Sequence, residues 1–479
     1  MQCNDLGKFP FHCFASLVFS GKRVSDMSTV AAVATGNAPG GIGVIRISGD
    51  KAVEIASKVF RPMDKTSLCD LPGYRAKFGN VIINGEESDN AVALVFRAPK
   101  SYTGEDVVEI SVHGGLLIVQ KTLQAVLDAG AKPAGAGEFT KRAFLNGKMD
   151  LTQAESVADL ICAQGEAAAK ASFNALQGSL SKKIKGVLEV LLDLSALMCA
   201  WVDYPDEEIP ELEETELLKK LNFCKDELDE LLENYDNGQA IIDGVDTVIV
   251  GMPNVGKSSL MNMLVGRDKS IVTHIEGTTR DIVEDSVRLG NLVLHLRDTA
   301  GLRESDDLVE NIGIDKAYKA LDEAQLVLAV FDYAKPIREK DEDLINRASG
   351  KNSVAVINKV DLEKRLDTEK IEAAFAKTVY ISAKNNEGLS ELAKAVEELL
   401  GVENFDTGAP MLANMRQRQN CQNARENIAS AIDSVNMGMT YDAINVMCDC
   451  AADELLSLTG EKATEQVVNN IFSKFCVGK

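Results

Sequence analysis

The chain has 479 residues, room for roughly three domains at about 150 residues each. Hydrophobic residues make up 45% of it, enough for several packed cores, and Asp and Glu outnumber Lys and Arg by 73 to 51, a formal net charge of −22. That balance excludes a globally basic nucleic-acid binder but leaves room for a local basic groove, or for a partner that supplies the contacts to RNA.

The stretch FPFHCFASLVFSGKR among the first residues carries its Lys and Arg after its apolar part, the wrong order for a secretory leader. DMSTVAAVAT places a natural start at Met27, so residues 1–26 read as an extension or a mis-set start, with an organelle-targeting peptide as the alternative. From 28 to 150 the pattern is mixed α/β: strand-like TVAAVAT and GIGVIRISG, helical GDKAVEIASKVF, further strands in KFGNVII, NAVALVFRAP and DVVEISVHGG, then helical LLIVQKTLQAVLDAG stopped by a glycine. Residues 151–204 are Ala- and Leu-rich with helical spacing, and ELLKKLNFCKDELDELLENYDNG is another amphipathic helix after an acidic break. Strands and helices alternate over 245–400, the mark of a parallel sheet with crossover helices, and residues 411–479 read as helical throughout. Neither helical flank alone closes a core, which favours one helical domain interrupted by an inserted α/β block. No apolar run reaches the length of a membrane span. The ten cysteines contain no C-x-x-C pair, which argues against zinc and for reduced thiols in a cytoplasmic protein.

GMPNVGKSSL fits G-x-x-x-x-G-K-[ST] through Gly251, Gly256, Lys257 and Ser258, between a strand-like TVIV and a helix-like SSLMNMLVG. The glycines admit backbone N–H groups to the phosphates, Lys257 neutralises the β/γ oxygens, and the Ser258 hydroxyl ligates magnesium. Asn254, Val255 and Ser259 complete the loop's contacts. Asp298, in DTAG, would hold magnesium through water; Thr299 and Ala300 lead to Gly301, which faces the γ-phosphate. Thr279, in GTTRD, is placed to reach magnesium and the γ-phosphate. In NKVD, Asn358 and Lys359 precede Asp361, which can accept from the two donors on guanine's edge; adenine lacks that pair. Ser382, Ala383 and Lys384 would cap the base. The ordered set selects GTP. After DTAG comes Leu302, which cannot orient water as a Gln can, so another residue must. Arg280 and Arg303 are either arginine fingers in cis or solvated switch residues, and a monovalent cation beside Asn254 would fill the same charge role.

At GIGVIRISG, SYTGEDVVEISVHGG, GEFTKRAFLNGKMDLTQAE, DYPDEEI, the GTPase motifs and the terminal FCVGK, the chain resembles the tRNA-modifying GTPase family MnmE, also called TrmE, from about Thr29 to Lys479. The resemblance implies a multidomain α/β plus all-α protein. Its parts would be an N-terminal α+β folate-binding-like and dimerisation domain (27–147), a helical domain (148–243 and 404–479), and an inserted Ras-like P-loop GTPase domain (244–403). It implies a homodimer that joins the flavoprotein MnmG in a heterotetramer. Together they would modify C5 of the wobble uridine of certain tRNAs to an aminomethyl or carboxymethylaminomethyl form, using a 5-formyl- or methylene-tetrahydrofolate. By the same resemblance Asn254, Thr273, Ile275 and Thr278 surround K+, Ser258 and Thr279 bind Mg2+, Glu310 orients the attacking water, and Arg46, Glu109, Lys148 and Lys479 bind folate. The chemistry is consistent: Arg46 and Lys148 can pair with carboxylate, and Glu109 can accept a fork of pterin N–H bonds. Cys476 is either a nucleophile in one-carbon transfer or apolar filler under the tail; His113 reads as structural. A rival from another class is a GTP-switched RNA or ribosome assembly factor without covalent chemistry, which would want a Lys/Arg-rich appendix that the sequence does not display.

Overall fold

The structure is a computed structural model that describes residues 28–203, 213–267, 285–296, 321–403 and 405–479. By contact it forms two compact units, one of residues up to Glu155 with Ala452–Lys479, the other Ser156–Ala451.

The first unit is built on a seven-stranded sheet. Its strands are β1 (Val30–Val33), β2 (Ile42–Ser48), β3 (Phe60–Pro62), β4 (Arg75–Ile83), β5 (Glu86–Phe96), β6 (Val107–His113) and β7 (Lys132–Pro133), in the order β3-β4-β5-β6-β2-β1-β7. All neighbours are antiparallel except β1 and β7. β4 and β5 turn at Asn84-Gly85, both with positive φ, the geometry that matches the twist of a tight hairpin. Alternation then sorts the faces. Ile45, Ile47, Val108 and Ile110 point into a core closed by α1 (Ala52–Val59) and α2 (Leu116–Asp128). Burying each such side chain contributes about 1.5–3 kcal/mol. The opposite face, with Arg46, Glu109 and Ser111, is left for α3 (Glu138–Leu145) and loops to cover in part.

The end of the chain completes this unit. The helix Glu465–Phe472 starts on a Thr464 cap and packs Val468 and Phe472 against Leu151 and Ala154. Residues 473–479 then leave helical geometry, unlike the all-helical reading of 411–479. Val477 makes an antiparallel bridge with Ala136, and the Gly137 and Phe139 N–H groups donate to the carbonyls of Cys476 and Lys479 at 3.3 and 3.1 Å. Gly478 is buried with φ +100°, and a Cβ there would stand 2.2 Å from the Val33 carbonyl oxygen, so only glycine fits.

In the second unit, helices α4 (Leu151–Cys162, which begins before the boundary), α5 (Glu166–Leu176), α6 (Ser179–Asp203), α7 (Glu214–Glu233) and α8 (Tyr235–Asp243) precede a six-stranded sheet. α7 buries Leu217, Leu221, Cys224, Leu228 and Leu231, a three–four spacing, against the matching stripe Cys421, Ala424, Ile428 and Ala431 of the helix Met415–Asn436. Arg425 and Asp229 clip the pair at 2.7 Å. Cys224 and Cys421 are free thiols whose pKa burial pushes up to about 12, which makes them inert core residues.

The sheet consists of β8 (Val245–Val250), β9 (Asp285–Leu289), β10 (Leu292–Leu296), β11 (Leu326–Asp332), β12 (Ser353–Asn358) and β13 (Lys377–Ile381), in the order β13-β12-β11-β8-β10-β9. Only β9 and β10 run antiparallel. β11 and β12 are buried along their whole length, as strands covered on both faces must be.

Candidate functional site

The loop between β8 and the helix α9 (Lys257–Arg267) is shaped by contacts that tolerate no side chain at its glycines. A Cβ on Gly251 would lie 2.4 Å from the Val330 carbonyl oxygen, and one on Gly256, at φ +100°, 2.1 Å from Asn358 Nδ2. Asn254 adopts φ +63°, unusual for a residue with a side chain. Lys257 Nζ donates to the carbonyls of Gly251 and Met252 at 2.8 and 2.9 Å, and burial alone lowers its pKa. Among the described residues this half-buried ammonium faces no carboxylate, an arrangement suited to an anion such as phosphate. Val255 is buried, and Ser258 and Ser259 are exposed at the first turn of α9.

The base-side motifs are bolted to this loop. Asn358, 2% exposed, donates from Nδ2 to the Val255 carbonyl at 3.0 Å; its Oδ1 accepts from the N–H groups of Lys359 (2.8 Å) and Ala383 (3.1 Å). Lys359 Nζ reaches the Asn254 carbonyl at 2.6 Å and Asp332 Oδ2 at 2.7 Å. Burial would raise the Asp332 carboxyl, but the Lys359 bond and the Ala334 N–H hold it below the usual range. Ser382, fully buried, donates to one oxygen of Asp361 at 2.7 Å, which orients the carboxylate. Lys384 is exposed beside it. Asp332 escaped the sequence reading. Its only signal is its place at the end of a wholly apolar strand, where a buried acid needs a cation.

Thr273, Ile275, Thr278, Thr279, Arg280, Asp298, Thr299, Ala300, Gly301, Leu302, Arg303 and Glu310 lie outside the described residues.

The second group of predicted residues gathers on the open face of the seven-stranded sheet. Arg46 and Glu109 are register partners on β2 and β6, and Arg46 Nε donates to Glu109 Oε1 at 2.8 Å. Arg46 Nη1 reaches the Gly478 carbonyl at 3.4 Å, which brings the backbone of the tail beside it, while the Cys476 and Lys479 carbonyls accept from Gly137 and Phe139 at the start of α3. Lys148 instead donates to the Pro99 carbonyl at 3.0 Å, on the loop that carries Tyr102. His113 pairs through Nδ1 with Asp89 Oδ1 at 2.6 Å at the end of β6.

Sequence reasoning also missed Arg142, 1% exposed on α3. It donates to both oxygens of Glu105 at 3.1 Å, to Glu138 at 2.7 Å and to the Ser28 carbonyl at 2.8 Å; Ser48 donates to Glu105 at 2.7 Å. This buried network pins the loop 101–105 against α3. Arg142 and Glu105 are 37 positions apart, and no spacing rule joins them.

A family model described as the GTP-binding protein TrmE N-terminus matches residues 29–148, and one described as the MnmE helical domain matches 151–476. The chain is 39% identical over 456 residues to the tRNA modification GTPase MnmE of Acetivibrio thermocellus, covering 94% of this chain and 99% of that protein. It is 36% identical over 454 residues to the protein of the same name from Clostridioides difficile, again with 94% and 99% covered. Among solved structures it is similar to the G domain of the T. maritima FeoB iron transporter, 27% identical, over 32% of this chain and 98% of that one, with a TM-score of 0.24. Two models that together run from 29 to 476, and relatives matched over nearly their whole length, place this chain in the tRNA modification GTPase MnmE family.

Proposed function

We propose that the chain hydrolyses GTP with Mg2+ and K+, and that hydrolysis drives modification at C5 of the wobble uridine of tRNA. It would act as a homodimer with the flavoprotein MnmG and take the one-carbon unit from a tetrahydrofolate. The observation that carries this reading is the tie between motifs. Asn358 and Lys359 both bond carbonyls of the phosphate loop, which ties the segment expected to hold guanine directly to the one expected to hold phosphate. The cation and folate roles rest on the family resemblance, and the residues present fit them. Among the described residues, Asn254 is exposed on a loop whose Lys257 has no acidic partner, and Arg46 keeps Nη2 free of protein acceptors. Ser258 and Thr279 would hold magnesium. Asn254, with Thr273, Ile275 and Thr278, would hold a potassium ion whose charge offsets that developing on the phosphates. Glu310 would orient water in place of Leu302.

The test is reconstitution of the full chain with MnmG, GTP, a 5-formyl- or methylene-tetrahydrofolate and tRNA, with the wobble nucleoside analysed by mass spectrometry. Unmodified uridine under every condition rejects the reading. Replacing K+ by Na+ is expected to slow GTP turnover by a factor on the order of 10³ or more, the scale of an arginine finger; equal rates in the two salts remove the cation. Cys476→Ser is expected to spare GTP turnover and abolish modification in the same assay. Full modification by the variant would leave Cys476 a packing residue.

A further inference from the structure

Arg46 sits in an enclosure whose walls are unequal. Glu109 fixes Nε, the Gly478 carbonyl meets Nη1, and two rings flank the guanidinium, Phe139 with its centroid 5.5 Å from Cζ and Tyr102 at 5.7 Å. Phe139 is fully buried and belongs to the packing of α3. Tyr102 is 37% exposed and comes from the loop 98–105. Its hydroxyl bonds Thr140 Oγ1 of α3 at 2.9 Å, so the ring spans from loop to helix across the guanidinium. The loop is itself fixed: Glu105 is held by Arg142 and Ser48, and the Thr103 carbonyl accepts from Asn146 Nδ2 at 2.6 Å. The same loop offers the Pro99 carbonyl to Lys148. Tyr102 therefore lies on a rigid bridge between the two cations of the site, while its hydroxyl is turned away to Thr140.

We propose that Tyr102 is a positioning residue for ligand recognition by Arg46. Its ring holds the guanidinium flat, with Phe139 as the other wall, so that the outer N–H edge meets the carboxylate or the pterin of a reduced folate. This rests on the folate reading above and adds to it a residue of SYTGEDVVEISVHGG to which the sequence analysis gave no role. An unrestrained arginine loses side-chain freedom when it binds; one already stacked and bonded at Nε and Nη1 has lost it beforehand, and affinity rises accordingly.

The experiment titrates 5-formyl-tetrahydrofolate calorimetrically into the full-length protein and into its Tyr102→Phe and Tyr102→Leu variants, with GTP turnover and thermal unfolding measured alongside. The phenylalanine variant, which keeps the ring, is expected within about threefold of the parent. The leucine variant is expected to raise Kd about tenfold or more, the scale of a desolvated cation–π contact. Turnover and unfolding temperature should stay unchanged. Should leucine unsettle the loop, Tyr102→Met removes the ring with a more pliant side chain. Parental affinity in the variants lacking the ring overturns the proposal. So does an equal loss in the phenylalanine variant, which would assign the effect to the hydroxyl and Thr140. A parent protein that binds no folate at all rejects the folate reading itself, a separate outcome.

Discussion

Asn358→Ala is expected to weaken GTP and GDP binding about 100-fold, measured with a fluorescent nucleotide in the full-length protein. The Asn358 amide satisfies three backbone groups, the carbonyl of Val255 and the N–H groups of Lys359 and Ala383, and it is almost wholly buried. Truncation leaves those groups short of partners at about 1–3 kcal/mol each, less whatever water recovers. About 2.7 kcal/mol reaching the nucleotide suffices for the stated loss. Much of it should reach the nucleotide, because the same amide sets the distance between the phosphate loop and the Ser382–Lys384 segment. Asn358→Asp keeps the acceptor but loses the donor to Val255, so it should fall between. Kd values within threefold of the parent for the alanine variant would show that the loop holds its shape without this brace.

Arg142→Met is expected to destabilise the first unit by about 3–5 kcal/mol, the cost of breaking a buried pair and stranding its partner. Glu105 would remain 8% exposed, with Ser48 but no cation. For a unit of this size such a loss lowers the unfolding temperature by about 10 °C. Hydrogen exchange in β2, β6 and α3 is the appropriate readout, since a multidomain chain does not unfold in one step. The double variant Arg142→Met/Glu105→Leu should recover part of the loss, because removing both charges removes the stranded one. Equal protection in parent and Arg142→Met would mean that the guanidinium contributes nothing net.

The phosphate-loop motif was legible in the sequence because its shape is set by backbone. Gly251 and Gly256 are required by close approach to Val330 and Asn358, and their spacing is the loop's own length. Most longer strands were legible for a similar reason, since alternation such as that on β6 follows from what covers each face, whereas β3, beginning at the end of a run read as helix, and the two-residue β7 were not. Asp332, Arg142 and Tyr102 were not legible. Each acts through a partner brought near by the fold, and a charge or ring at one position carries no record of the residue opposite. The tail was read for its helical period, yet its last seven residues are held by Ala136, Gly137 and Phe139, some 340 positions earlier. While the helical-domain family model extends to residue 476, by contact residues 452–479 pack with the N-terminal residues, with Val468 and Phe472 buried against Leu151 and Ala154.

That last arrangement constrains how the protein is made. A translating chain emits residues 28–155 first, but the strap that borders Arg46 emerges only after roughly 300 more residues have been added. At about 5–20 residues per second that is a delay of about 15 to 60 seconds. Throughout it the nascent amino-terminal sheet waits with its arginine wall unsealed, so the finished arrangement can exist only on polypeptides in which residues 476–479 have been made.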